Sequence, residues 1–131
     1  MKALLDTHIL VRWVSHPDEL SPAQRHAVGL ASAAHPLLVA SISLWEVATL
    51  VNLGRLRLDR PLREWLERAV AAPLVRVVDL SPSIAAEVAA LPDSFHRDPA
   101  DRIIVASAHV HAAALLTNDH RIRDAALVTT V

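Results

Sequence analysis

Short apolar runs alternate with longer amphipathic segments along the whole chain, and Pro and Ser/Asp caps mark each junction. Lys2–Leu5, Leu37–Ala40, Leu74–Leu80, Leu115–Thr117 and Leu127–Thr130 read as five strands. They are short and almost uniformly apolar, as strands are when both faces of a parallel sheet are covered. Helices are expected between them. One runs over Thr7–Val14. A second opens at the capping box Ser21-Pro22-Ala23-Gln24 and reaches about Ala34. A third opens at Ser43-Leu44-Trp45-Glu46, read as another capping box, and stops at Gly54. Others start at Pro61, Ser81-Pro82 and Asp98-Pro99. Strand–helix alternation of this kind predicts an α/β chain, a three-layer α/β/α sandwich with a short, mostly parallel central sheet. The 131 residues suffice for a single domain spanning 1–131.

In such a sheet the ligand site lies beyond the carboxyl ends of the strands. Four acids fall there from four different segments: Asp6 after the first strand, Glu46 and Asp101 in the first turns of helices, and Asp119 after the fourth strand. Each has a structural alternative. Asp6 can cap the following helix, Glu46 can be the third-position partner of Ser43, Asp98 and Asp101 can cap theirs, and Asp119 can be a turn residue. Helix geometry weighs on two of them. Leu50 and Leu53 share the face of Glu46, and Ile104, Val105, Ala108 and Ala112 share the face of Asp101, so both acids head apolar stripes expected to pack inward. A carboxylate at the edge of a core needs a compensating partner, a shared cation or an arginine. Repelling carboxylates gather mainly to hold a hard divalent cation, which points to metal-assisted chemistry on a phosphate. Thr7, Thr117 and Asp98 are accessory candidates. The imidazoles of His8, His96 and His120 stand close in sequence to the acids, but no H-x-x-x-H pair supports a zinc site.

Composition removes other chemistries. There is no cysteine, hence no thiolate nucleophile or thiolate metal site. Two glycines, Gly29 and Gly54, cannot form a Gly-rich phosphate loop, and Lys2 is the only lysine. No G-x-S-x-G elbow is present. The hydrophobic fraction is 53%, but the longest apolar run, Ile103–Leu116, is too short for a bilayer and holds His109 and His111. Met1-Lys2 leads straight to an acid at position 6, which spoils a signal core. The expectation is a cytoplasmic protein without a membrane segment. Net charge is −1 and pI about 6.7, so nucleic-acid binding would rest on a local arginine patch. An acidic pair after the first strand, as in a receiver domain, and Asp-x-Asp, as in a haloacid-dehalogenase-like phosphatase, are both missing, because Thr7 and His8 follow Asp6.

With these residues in place, the chain resembles the PIN-domain ribonucleases, in particular the VapC toxins of toxin–antitoxin pairs. The resemblance is carried by Leu4-Leu5-Asp6-Thr7-His8, by Ser43-Leu44-Trp45-Glu46-Val47-Ala48 with Gly54-Arg55-Leu56, by His96-Arg97-Asp98-Pro99-Ala100-Asp101-Arg102, and by Leu116-Thr117-Asn118-Asp119. It implies Mg²⁺ or Mn²⁺ held directly by Asp6, Asp101 and Asp119, with Glu46 acting through a water or a second ion. It implies cleavage of single-stranded or looped RNA, with tRNA or ribosomal RNA as targets. Arg97 and Arg102 are candidates to hold the RNA backbone by bidentate contacts. The resemblance also implies a homodimer and a cognate VapB-type antitoxin whose segment lies near Glu46. Relatives carry a lysine where Leu50 stands and an aromatic where Ala100 stands. The alternative is a catalytically silent PIN fold used for protein binding.

Overall fold

The structure, a computed structural model, describes residues 2–131. Four strands form the central sheet: β1 (Ala3–Leu5), β2 (Leu37–Ala40), β3 (Val75–Val78) and β4 (Ala114–Leu116). Their order is β3-β2-β1-β4 and every pairing is parallel. Seven α-helices join or flank them among the described residues: α1 (Thr7–Ser15), α2 (Pro22–Gly29), α3 (Ser41–Asn52), α4 (Leu62–Ala69), α5 (Pro82–Ala90), α6 (Pro99–Val110) and α7 (His120–Ala125).

Alternate residues of each strand feed two separate cores, as the two-residue period of a strand requires. Leu4, Leu38, Ala40, Val78 and Leu115 meet α5 and α6 through Ile84, Ile104, Val105 and Ala108. Leu5, Leu37, Val39, Val75 and Leu116 meet α1 and α4 through Ile9, Leu10 and Trp65. Leu38 has almost no exposed surface. Truncating it to alanine would open a cavity under both α5 and α6 and cost about 2–5 kcal/mol. The indole Nε1 of fully buried Trp65 donates to Ser15 Oγ at 3.0 Å, which ties α4 to the end of α1.

Several sequence expectations change in detail. The fifth strand shrinks to one parallel bridge, Leu115 to Thr130, although Val131 and Thr129 still exchange backbone hydrogen bonds with β4. Helix α2 ends at Gly29 rather than Ala34, because Ser32 and His35 close a turn on each other's backbone. The capping box at Ser43 is absent. Helix α3 begins two residues earlier, straight from β2 with Ala40 as its cap, so Ser43 lies inside the helix and is buried. The inward stripe below Glu46 also fails at Leu53, which is 58% exposed. Gly54 ends α3 as expected, with φ of 70°.

Candidate active site

With all strands parallel, their carboxyl ends share one side, and the acids follow from that. Asp6 is the first residue beyond β1, where its N–H donates to Leu116 O of β4 at 3.1 Å. Its Oδ1 accepts from Ile9 N at 2.8 Å, so it also caps α1. Asp119 stands three residues past β4 and caps α7, accepting from Arg121 N at 2.8 Å and Ile122 N at 3.3 Å. Asp98 caps α6 through Asp101 N at 3.1 Å. That bond leaves the Asp101 carboxylate free of capping duty, one turn into the helix.

All four sequence-predicted acids, with Asp98 and Thr7, line one cavity of about 380 Å³. Thr7 links two of the segments. Its hydroxyl donates to Glu46 Oε1, and its Oγ1 lies 2.9 Å from Ser43 Oγ. The short path from β2 into α3 places both Ser43 and Glu46 against α1, which the capping-box reading of Ser43 obscured. Thr117 is fully buried, its Oγ1 accepts from Asp119 N at 3.0 Å, and its hydroxyl counters the rise in the Asp6 pKa.

The acids differ in their electrostatics. Burial raises Asp6, against bonds from Thr117 and Ile9 that pull it down. Burial likewise raises Glu46, opposed by the Thr7 hydroxyl and reinforced by Asp98. Asp101 is pushed up to about 7, first by desolvation and then by the charges of Asp98, Asp119, Glu46 and Asp6. Burial also raises Asp119, but the Arg121 guanidinium and the N–H groups of Ile122 and Arg121 outweigh it and hold this carboxyl below its usual range.

Cations are few here. Arg121 Nη2 lies 3.3 Å from Asp119 and 3.9 Å from Asp101, and Arg12 and His8 complete the lining with Asn118. Neither Arg97 nor Arg102 lines the cavity. Arg102 Nη1 instead donates to the carbonyls of Phe95 (3.0 Å) and His96 (3.2 Å) and braces the loop before α6. The sequence pointed to Arg97 and Arg102 for the RNA backbone, and not to Arg121. It did not mark Gln24 either, whose Nε2 donates to Asn118 Oδ1 at 2.9 Å and Val131 O at 3.2 Å, fixing the loop that carries Asp119.

The donor set is carboxylate and hydroxyl oxygen without sulfur, which suits a hard divalent cation over metals preferring nitrogen or sulfur. The carboxylates converge on the cavity without being drawn into finished ligand geometry: no group of three or more Asp, Glu, His or Cys among the described residues is arranged to hold an ion as it stands. In kind and placement the residues fit such a cation.

Comparison with known proteins agrees with this geometry. Residues 3–127 match the family model of the PIN domain. The chain is 42% identical over 120 residues to Ribonuclease VapC22 of Mycobacterium tuberculosis, covering 92% of this chain and 88% of that protein. In fold it is similar to a chain of the VapBC2 structure from Rickettsia felis bound to a promoter DNA fragment (TM-score 0.74, 18% identity, 100% of this chain and 98% of that one). It is also similar to a chain of the DNA-bound VapBC structure from Salmonella typhimurium (TM-score 0.70, 15% identity, 100% and 97%). Among the described residues no helix is long and apolar enough to cross a membrane.

Proposed function

The chain belongs to the PIN domain family, and from that premise we propose that it is a metal-dependent endoribonuclease, the toxin of a toxin–antitoxin pair, with residues 1–131 acting as one catalytic domain in the cytoplasm. The observation that carries the reading is the gathering of Asp6, Glu46, Asp98, Asp101 and Asp119, from four segments, around one cavity. A carboxylate driven up to about 7 by burial and then by its acidic neighbours is characteristic of catalytic and metal sites, which favours this reading over a protein-binding module.

Asp6, Asp101 and Asp119 would hold Mg²⁺ or Mn²⁺ directly, and Glu46 would hold it through a water or as part of a second site. When bound, the ion supplies a nucleophilic water near neutral pH and offsets charge on the phosphate under attack. The chain's own residues do the rest. Thr7 fixes the direction of the Glu46 carboxylate. Ile9 N fixes the Asp6 carboxylate. Arg121 and Arg12, the guanidinium groups at the cavity, draw in the RNA phosphate that the acids alone would repel.

The proposed partners are an RNA such as tRNA or ribosomal RNA, a second copy of the chain, and a VapB-type antitoxin whose segment enters the acid cavity with an arginine.

The test is cleavage of purified RNA with Mg²⁺ or Mn²⁺ by the wild type and by Asp6→Asn, Asp101→Asn and Asp119→Asn. Each variant is expected to keep its helical circular dichroism and lose cleavage. EDTA should silence the wild type. Full activity in any folded variant removes that residue from the site, and undiminished cleavage under thorough chelation removes the metal.

A further inference from the structure

Trp45 is out of place for a chain like this. Only 3% of the residues are aromatic, and the interior is built from aliphatic side chains. Trp65 and Phe95 are buried, and Trp13 is half-buried against the core under α1. Trp45 is 61% exposed, one residue from Glu46 on α3. An indole left in water forgoes a large hydrophobic gain, and the fold does not use this one for packing.

What Trp45 does line is a groove of about 550 Å³. Its apolar walls come from Ile42, Leu50, Leu53 and Pro99, and Thr49 and Arg55 bring a hydroxyl and a guanidinium. None of the ion pairs among the described residues involves Arg55. The groove adjoins the acid cavity, since Glu46 and Asp98 line both. A ligand that reaches from the acids across these two residues meets Trp45.

We infer that this groove is a nucleobase subsite, in which Trp45 stacks on a base flanking the scissile phosphate of the RNA. The inference rests on the endoribonuclease reading and adds how the substrate is held. Single-stranded RNA is recognised by splaying bases onto aromatic side chains and guanidinium planes, with phosphates on cations. One stretch of RNA meets both halves of this surface, a phosphate at the acids and Arg121 and a flat apolar base at Trp45, with Arg55 left for the next phosphate. Stacking tolerates any base, so the subsite contributes affinity, while the Thr49 hydroxyl offers an edge contact that biases sequence.

The test uses full-length protein and a short unstructured RNA oligonucleotide whose cleavage position has been mapped with the wild type. Trp45→Ala is expected to raise KM about tenfold with kcat nearly unchanged, and Trp45→Phe to restore most of the loss. In the uncleaving Asp6→Asn background, the oligonucleotide should quench tryptophan fluorescence in a Trp45-dependent way. An abasic nucleotide at one flanking position should weaken binding to the Trp45 protein by a similar factor, and weaken binding to Trp45→Ala no further. If the wild type cleaves RNA while Trp45→Ala matches it in KM, kcat and cleavage position, the subsite is overturned and the endoribonuclease reading stands. If Trp45→Ala impairs binding of a protein inhibitor but leaves RNA kinetics unchanged, the groove is a protein-docking surface and the subsite is again overturned. A wild type that neither binds nor cleaves RNA overturns both.

Discussion

His96 Nε2 lies 3.4 Å from Asp101 Oδ2, and both nitrogens of that imidazole are buried without a hydrogen-bond partner. The two groups are close but make no hydrogen bond. The ring is held edge-to-face against Phe95, centroids 4.6 Å apart, and Arg102 donates to the consecutive carbonyls of Phe95 and His96. The imidazole is thus aimed at the side chain that carries most of the cluster's repulsion. A buried polar group without a partner costs about 1–3 kcal/mol.

His96 is therefore expected to act as a positioning residue for Asp101. His96→Leu removes an unsatisfied polar group from an apolar setting, so thermal stability should hold or rise. Apparent Mn²⁺ affinity by calorimetry should nevertheless fall about tenfold, the usual scale for losing a group that orients a ligand. His96→Asn keeps a donor and should recover part of the loss. A His96→Leu protein that is less stable yet binds Mn²⁺ like the wild type would make His96 a packing residue.

The Thr7–Glu46 bond yields a pH prediction. Burial raises Glu46, and the Thr7 hydroxyl is the main influence pulling it back. Thr7→Val should push Glu46 higher still and move the acidic limb of the pH–rate profile of kcat/KM to higher pH. Thr7→Ser should leave the limb in place. An unmoved limb in a folded Thr7→Val protein would take Glu46 out of the rate-determining ionisation.

Asp101 makes metal-free stability fall with pH. Its folded pKa of about 7 lies above the unfolded value of 3.8, so the folded state holds the proton more tightly. That contribution is complete below the unfolded pKa and is lost as pH rises toward 7. Asp6 and Glu46 are shifted in the same direction, whereas Asp119 is shifted the other way and favours folding above its unfolded pKa. In EDTA, Asp101→Asn should be more stable than wild type at pH 8 by about 1–2 kcal/mol. The full conversion of about 1.4 kcal/mol per pH unit is discounted because the carboxylate is partly open to solvent. The two proteins should converge near pH 4. Urea melts at both pH values decide it, and a variant less stable than wild type at pH 8 contradicts it.

How far the sequence could be read depends on whether a signal was local. Pro and Ser/Asp caps act within one turn, so Ser21, Ser81, Asp98 and Gly54 marked their helix ends correctly. The four acids were legible because parallel strands put their carboxyl ends on one side. Ser43 misled because its pattern with Glu46 matches a capping box, while α3 in fact grows directly out of β2. Short α7 was not anticipated, since six residues carry too little periodicity to read. Arg102 and Arg121 sit in equally basic stretches. Only the folded chain shows one gripping a loop and the other facing the acids.

The double role of Asp6 turns the shared cation into a stability measurement. Asp6 is both a cap, through Ile9 N, and a buried member of the cluster. Asparagine caps a helix about as well as aspartate, so Asp6→Asn keeps that bond and removes the charge. Alanine would lose the cap as well, at about 1 kcal/mol. Without metal, Asp6→Asn should match or exceed wild type in Tm, because one source of repulsion is gone. On adding Mn²⁺, wild type should gain about 3 kcal/mol at a concentration a hundredfold above Kd, since the ion binds the folded state alone. That corresponds to several degrees in a chain of this size. The Asp6→Asn protein should gain much less. If Mn²⁺ shifts both melting curves equally, Asp6 is a cap and nothing more, and the cavity's acids share no ion through it.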